Sequence, residues 1–112
     1  MKLKNENRLI KKYIPMTETA YYILLALSTE RHGYGILGHV KTLTGGRLIL
    51  GAGTIYGTIS RMEKDGLVRP VSEYDRRKTY LITDIGRGIL NLEIVRLDEL
   101  LRNGRAGDKA HE

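Results

Sequence analysis

The chain has 112 residues and a formal net charge of +6 at pH 7, from 19 Lys and Arg against 13 Asp and Glu. That length suits one domain with a modest core and is short for two. It contains no cysteine, which excludes disulfides and thiolate metal sites. No apolar run approaches the length of about 18 residues needed to span a bilayer and no signal-peptide pattern opens the chain, so a soluble protein of the reducing cytoplasm, with no membrane partner, is expected. The charge is unevenly placed: residues 1–82 carry 14 of the basic and 7 of the acidic residues. A basic front part followed by a nearly neutral remainder is the footprint of a phosphate-binding surface, although its sign alone also fits RNA or an acidic membrane.

In chain order, residues 1–14 alternate basic residues with Leu9, Ile10, Tyr13 and Ile14, a pattern for a basic N-terminal arm or a short amphipathic helix that Pro15 stops. Thr17 then caps a helix, TETAYYILLALS, that is apolar nearly all round and belongs at the centre of the core. Tyr21 and Tyr22 adjoin on it and must face different ways. After the charged connection TERHG, the run GYGILGHVKTLTG reads as a second helix with Ile36, Leu37, Val40 and Leu43 on one face. Residues 47–50 are too short for a helix and apolar enough for a small strand leading into Gly51.

The stretch GAGTIYGTISRMEKDGL carries the most specific pattern. On a helix capped by Thr54, Ile55, Ile59 and Met62 form one narrow buried stripe, and Gly66 follows where a left-handed residue ends the helix. The opposite face presents Thr54, Gly57, Ser60, Arg61 and Lys64, which is small, hydroxylic and basic, as a groove of nucleic acid requires. Taken alone, one apolar stripe under a polar face is the ordinary surface helix of a small domain. Its surroundings distinguish it.

Beyond Gly66 the period changes to two. LVRPVSE and KTYLIT read as a β-hairpin with Asp75, Arg76, Arg77 and Lys78 at its tip, a basic wing in which Pro70 marks an edge strand. From Thr83, as N-cap, the helical period returns and runs to about Asn103-Gly104. Ile85, Ile89, Leu90, Leu92, Ile94, Leu97, Leu100 and Leu101 cover about half of its circumference, more than one small domain needs to shield. A two-fold homodimer built on this helix is the expected outlet, with Ile89, Leu90, Leu92, Ile94, Leu97, Leu100 and Leu101 as interface residues. Glu93 and Arg96, at i,i+3 spacing inside the arc, are expected to pair. The expected organisation is therefore an arm or short helix at 1–14, a winged helix-turn-helix DNA-binding domain at 15–82, a dimerisation helix at 83–103 and a disordered tail at 104–112. The fold class is mainly α with a small β-wing.

The runs TETAYYILLAL, HGYGI, LTGGRLILGAGTIYG, RMEKDGLV and RRKTYLIT resemble the PadR family of bacterial transcription regulators, over residues 15–101. The resemblance is to the short branch, with a single C-terminal helix. It implies a homodimeric repressor on a palindromic operator in double-stranded DNA, with the Thr54 helix in the major groove and the wing, from Tyr74 to Lys78, against the backbone or minor groove. Gly53, Thr54, Ile55 and Tyr56 fall on the family's Gly-Thr-aliphatic-Tyr motif. Ala52 and Gly57 stand where relatives often carry proline, and Gly57 weakens the helix by about 1 kcal/mol relative to Ala. Some short relatives hold flat apolar drugs between subunits by stacking on a tryptophan; this chain has no Trp and no Phe, so a small apolar effector at the dimer interface is the weaker expectation and dimer core the stronger.

The DNA-binding set expected from these readings is Tyr34, Thr54, Tyr56, Gly57, Ser60, Arg61, Lys64, Arg76, Arg77 and Lys78. Arg61 can reach a guanine edge and Ser60 and Thr54 a base or phosphate, while Lys64 and the wing residues contact the backbone. Tyr34 and Tyr56 fit core packing with a hydroxyl at the boundary as readily as phosphate contact. His32, His39 and His111 have no metal spacing, and there is no nucleophile motif, P-loop or paired carboxylate arrangement, so neither an enzyme nor a cofactor is expected. The alternative of a different class is a dimeric winged-helix scaffold whose basic face meets protein partners rather than DNA.

Overall fold

In the computed structural model, which describes residues 2–110, the chain forms α1 (Lys2–Tyr13), α2 (Glu18–Ala26), β1 (Arg31–His32), α3 (Gly33–Leu43), α4 (Ala52–Lys64), β2 (Val68–Tyr74), β3 (Arg77–Ile82) and α5 (Asp84–Ala110). The Thr17 side chain accepts the Ala20 N–H at 3.1 Å and starts α2. Ile23, Leu24 and Leu27 are then fully enclosed by Leu9 of α1, Ile36 and Val40 of α3, Ile55, Ile59 and Met62 of α4, the sheet residues Val68 and Ile82, and Ile89 and Leu90 of α5. Each such side chain contributes about 1.5–3 kcal/mol by leaving water, so the core draws on every helix.

The sheet has the order β1-β3-β2, antiparallel throughout. Pro70 sits on the edge strand β2, where its missing N–H is not needed, and the register with β3 slips between Pro70 and Ser72. At the tip, Asp75 and Arg76 take φ of 53° and 64°. A two-residue turn with both central residues left-handed matches the twist of a tight hairpin and thrusts the basic tip outward.

Several elements depart from the sequence reading. The third strand is Arg31–His32, paired with Tyr80 and Thr79 of β3, and residues 47–50 form no strand. Both sides of β3 are occupied, and the backbone at 47–50 turns back on the end of α3: the Arg47 N–H donates to the Thr44 carbonyl and the Leu48 N–H to Thr44 Oγ1, while the Arg47 side chain pairs with Glu18. On α3, Leu37 is only partly buried and Leu43 is half exposed, so the apolar face is narrower than expected. Helix α4 begins at Ala52 with Gly51 as N-cap and no capping side chain, so Thr54 lies inside the first turn and caps nothing.

The long helix starts as expected. Thr83 Oγ1 accepts the Gly86 N–H at 3.0 Å and donates to the Gly66 carbonyl at 2.6 Å. At Gly86 a Cβ would stand 2.0 Å from the Leu67 carbonyl oxygen, so only glycine lets α5 cross this closely behind α4. The helix does not stop at Asn103-Gly104 but continues to Ala110, about 40 Å in all. Residues 104–110 are therefore helical rather than a disordered tail; Gly104 and Gly107 do not end the helix, because neither adopts a left-handed conformation. The remainder of the tail, His111 included, lies outside the described residues. Ile89 and Leu90 are buried in the core of the chain itself, which removes them from any surface offered to a partner. Leu92, Ile94, Val95, Leu97, Leu100 and Leu101 are 37–65% exposed, so beyond the core α5 leaves apolar side chains in solvent around much of its circumference. Glu93 pairs with Arg96 as expected, in a two-pronged contact of 2.7 and 2.8 Å, and its carboxylate also accepts the Met16 N–H at 3.2 Å.

Candidate nucleic-acid interface

Helix α4 turns its Ile55, Thr58, Ile59 and Met62 side inward and leaves Thr54, Tyr56, Ser60, Arg61 and Lys64 exposed, with Gly57 half-covered. The Arg61 guanidinium bends back to Thr58 Oγ1 at 3.3 Å. It therefore lies along the outer face of its own helix, near the small surface that Gly57 leaves open. At the N-terminal half of the helix the chain builds a concave site. A cavity of about 370 Å³ is lined by His32, Tyr34, Tyr56, Arg76, Arg77, Lys78 and Tyr80.

Three separate elements converge there. Tyr34 projects from the first turn of α3 and is 67% exposed. Tyr56 comes from α4 and rests on the backbone of Gly33, where a Cβ would be 2.6 Å from its ring. The wing supplies Arg76, Arg77 and Lys78. Five of the residues expected from the sequence are thus brought together, Tyr34, Tyr56, Arg76, Arg77 and Lys78. Thr54, Gly57, Ser60, Arg61 and Lys64 lie outside the cavity, on the outer side of α4.

Two lining residues escaped the sequence reading. Tyr80 stands two positions after Lys78 on β3, and strand alternation places both on one face. His32 is brought in by the β1–β3 pairing, and its Nδ1 is buried with no hydrogen-bond partner among the described residues. Three phenols and three cations line one concavity, a lining whose chemistry suits phosphate oxygens, through its donors and positive charge, and the flat faces of sugar or base. His39, on α3, is held below the ordinary histidine range by burial and by the charge of Arg31. Among the described residues no group of His, Asp and Glu is arranged to hold a metal ion, and no helix is long and apolar enough to cross a membrane.

The base of the wing is fixed by a carboxylate. Glu30, in the connection after α2, accepts from Thr79 Oγ1 at 2.6 Å and from Ser72 Oγ at 3.0 Å. Those two hydrogen bonds hold the Glu30 carboxyl below its usual range.

Residues 23–91 match the family described as transcriptional regulator PadR-like. Over 62 residues the chain is 39% identical to an uncharacterised 37.1 kDa protein in transposon TN4556 of Streptomyces fradiae, a match covering 55% of this chain and 17% of that protein. Among solved structures, a PadR-like transcription factor from Bacteroides fragilis is 26% identical with a TM-score of 0.66, covering 78% of this chain and 86% of that one. PadR of Bacillus subtilis, solved in complex with operator DNA, is 26% identical with a TM-score of 0.61, covering 72% of this chain and 49% of that one. With more than half of its length matched, the chain belongs to the PadR-like family of DNA-binding transcriptional regulators, a winged-helix class whose work is regulation rather than catalysis.

Proposed function

We propose that this protein is a homodimeric, cytoplasmic repressor that binds a two-fold symmetric operator, with α4 of each subunit in the major groove and each wing along the flanking backbone. The observation that carries the reading is the convergence of Tyr34, Tyr56, Arg76, Arg77 and Lys78 around one cavity beside the exposed face of α4. Thr54, Gly57, Ser60, Arg61 and Lys64 are the face that reads base edges and adjacent phosphates, and the cavity residues seat the backbone. Dimerisation is supported by the apolar side chains that α5 leaves exposed, Leu92, Ile94, Val95, Leu97, Leu100 and Leu101. A monomer rarely leaves so many large apolar side chains of one helix in water.

A small apolar effector fits a second place. A cleft of about 330 Å³ between α1 and α5 is lined by Leu9, Ile10, Ile85, Ile89 and Leu92 together with the carboxylates of Glu6 and Asp84. That lining suits an apolar cation, and binding there would raise the melting temperature, increasingly with the logarithm of ligand concentration once the ligand exceeds its dissociation constant.

The DNA reading is tested by a salt titration of duplex binding. Each neutralised phosphate makes log K fall with log salt by about 0.9, so replacing Arg76, Arg77 and Lys78 together by Ala reduces the slope by about three. A slope unaffected by the triple replacement would place the wing away from DNA.

A further inference from the structure

The C-terminal end of α4 carries a charge of the wrong sign. Asp65 is the C-cap of the helix, where the helix dipole already concentrates negative partial charge, and an acid at that position is unfavourable. It is also hidden: its side chain is 7% exposed. Three donors from α1 resolve the conflict. Lys12 Nζ stands 2.7 Å from Oδ2, the Tyr13 hydroxyl donates to the same oxygen at 2.7 Å, and Arg8 Nη1 lies 3.6 Å from Oδ1. Burial works against the charged carboxylate, yet the hydrogen bonds from Lys12 and Tyr13 and the charges of Lys12 and Arg8 hold its pKa below the ordinary range. The Tyr13 phenol is pushed upward by burial and by the hydrogen bond to Asp65, so it remains a donor.

The surrounding chain makes this a mechanical junction. Helix α1 is seated on the core through Leu9 and lines a cleft with α5. One residue after Asp65, the Gly66 carbonyl accepts from Thr83 Oγ1, and the Leu67 carbonyl accepts from the Thr83 N–H at 2.9 Å, both at the start of α5. The same end of α4 is therefore gripped by α1 and by α5, whereas its N-terminal end has no capping side chain. Arg61, on the outer face, is one turn from the grip, and its carbonyl accepts the Asp65 N–H.

We propose that Asp65 is a positioning residue for DNA recognition: through it, α1 fixes the angle of α4 against α5, and hence the separation at which two copies of α4 meet a duplex. The inference rests on the DNA-binding dimer proposed above. Its consequence is specific to geometry. One added base pair shifts a half-site by about 3.4 Å and rotates it around the duplex, which a rigid pair of helices rejects and a loosely held pair accepts.

The experiment uses the full chain and compares wild type with Asp65→Asn, Lys12→Gln and Tyr13→Phe. Affinities are measured for the duplex motif selected by the wild type, for the same half-sites with the spacer lengthened or shortened by one and two base pairs, and for an unrelated duplex. The wild type is expected to prefer its own spacing by about tenfold or more; in Asp65→Asn the preference shrinks to about threefold or less, while affinity for unrelated DNA and its salt slope stay at wild-type values. Lys12→Gln and Tyr13→Phe, on a half-exposed helix face, give intermediate losses and serve if Asp65→Asn fails to fold. A folded, dimeric Asp65→Asn that keeps the full spacing preference overturns the proposal and reduces Asp65 to a stabilising contact. A wild type that selects no two-fold motif overturns the DNA reading itself, and the proposal with it.

Discussion

The ring of Tyr56 lies on the backbone of Gly33, with Cε1 2.6 Å from where a Cβ at position 33 would stand. The glycine that opens α3 is therefore the seat of a tyrosine on α4, and the two helices meet there without a side chain between them. This contact aims the phenol of Tyr56 into the cavity that the wing closes.

Gly33→Ala is expected to displace the Tyr56 ring rather than unfold the domain, because that ring is 48% exposed and has room to swing outward. The melting temperature should fall by only a few degrees, as for a change of about 1 kcal/mol in a domain of this size. Duplex affinity should fall more than stability does, and anisotropy titration beside a thermal melt separates the two. Unchanged DNA binding would detach Tyr56 from the interface.

Arg61→Ala and Arg77→Ala should differ in kind. Loss of Arg61, proposed above to read a base edge, is expected to cost about 1–3 kcal/mol on the preferred site while leaving unrelated DNA nearly unaffected. Loss of Arg77 should weaken all duplexes alike and lower the salt slope by about one. Competition between a preferred and an unrelated duplex, run at two salt concentrations, distinguishes the variants.

The free face of α5 gives a prediction about assembly. Leu97→Lys with Leu101→Lys places two charges among Leu92, Ile94, Leu100 and Val95, none of which the core needs covered. Sedimentation is expected to show a folded monomer with weakened operator binding, because each half-site then binds alone. A dimer that survives both substitutions would move the interface elsewhere.

Acid stability should depend on Glu93. The Arg96 hydrogen bonds, opposed by burial and aided by the Met16 N–H, hold its carboxyl below the ordinary value. A carboxylate with a lower pKa folded than unfolded contributes stability above its unfolded pKa of about 4.3 and loses it as pH falls through the folded value. The wild type should therefore lose stability steeply below about pH 4, and Glu93→Gln should flatten that limb while costing about 2 kcal/mol at neutral pH. Urea melts from pH 7 down to pH 3 measure both.

These residues also show what a single sequence can disclose. The stripe of Ile55, Ile59 and Met62 was legible because a helix repeats its buried face every three to four residues, and the turn at Asp75 and Arg76 because charged residues interrupt two alternating runs. Arg31–His32 was not, since two residues cannot display a period and the strand exists only because β3 offers a free side. Asn103-Gly104 signals a helix end through its low propensity, but a helix already propagating continues through it to Ala110. Ile89 and Leu90 belong to the same apolar arc as the exposed leucines, and only packing tells core from outer face. Asp65 read as an ordinary residue before a helix-ending glycine, because the donors that give it meaning lie more than fifty positions earlier.

The most direct measurement is selection of bound duplexes from a random pool by the purified protein at near-physiological salt. Recovery of a two-fold symmetric motif, with half-sites about one helical turn apart, is the expected result for two copies of α4 held by a dimer. Binding without any motif that disappears as salt rises would contradict sequence-specific regulation and leave only a basic surface, favouring a winged-helix scaffold for protein partners.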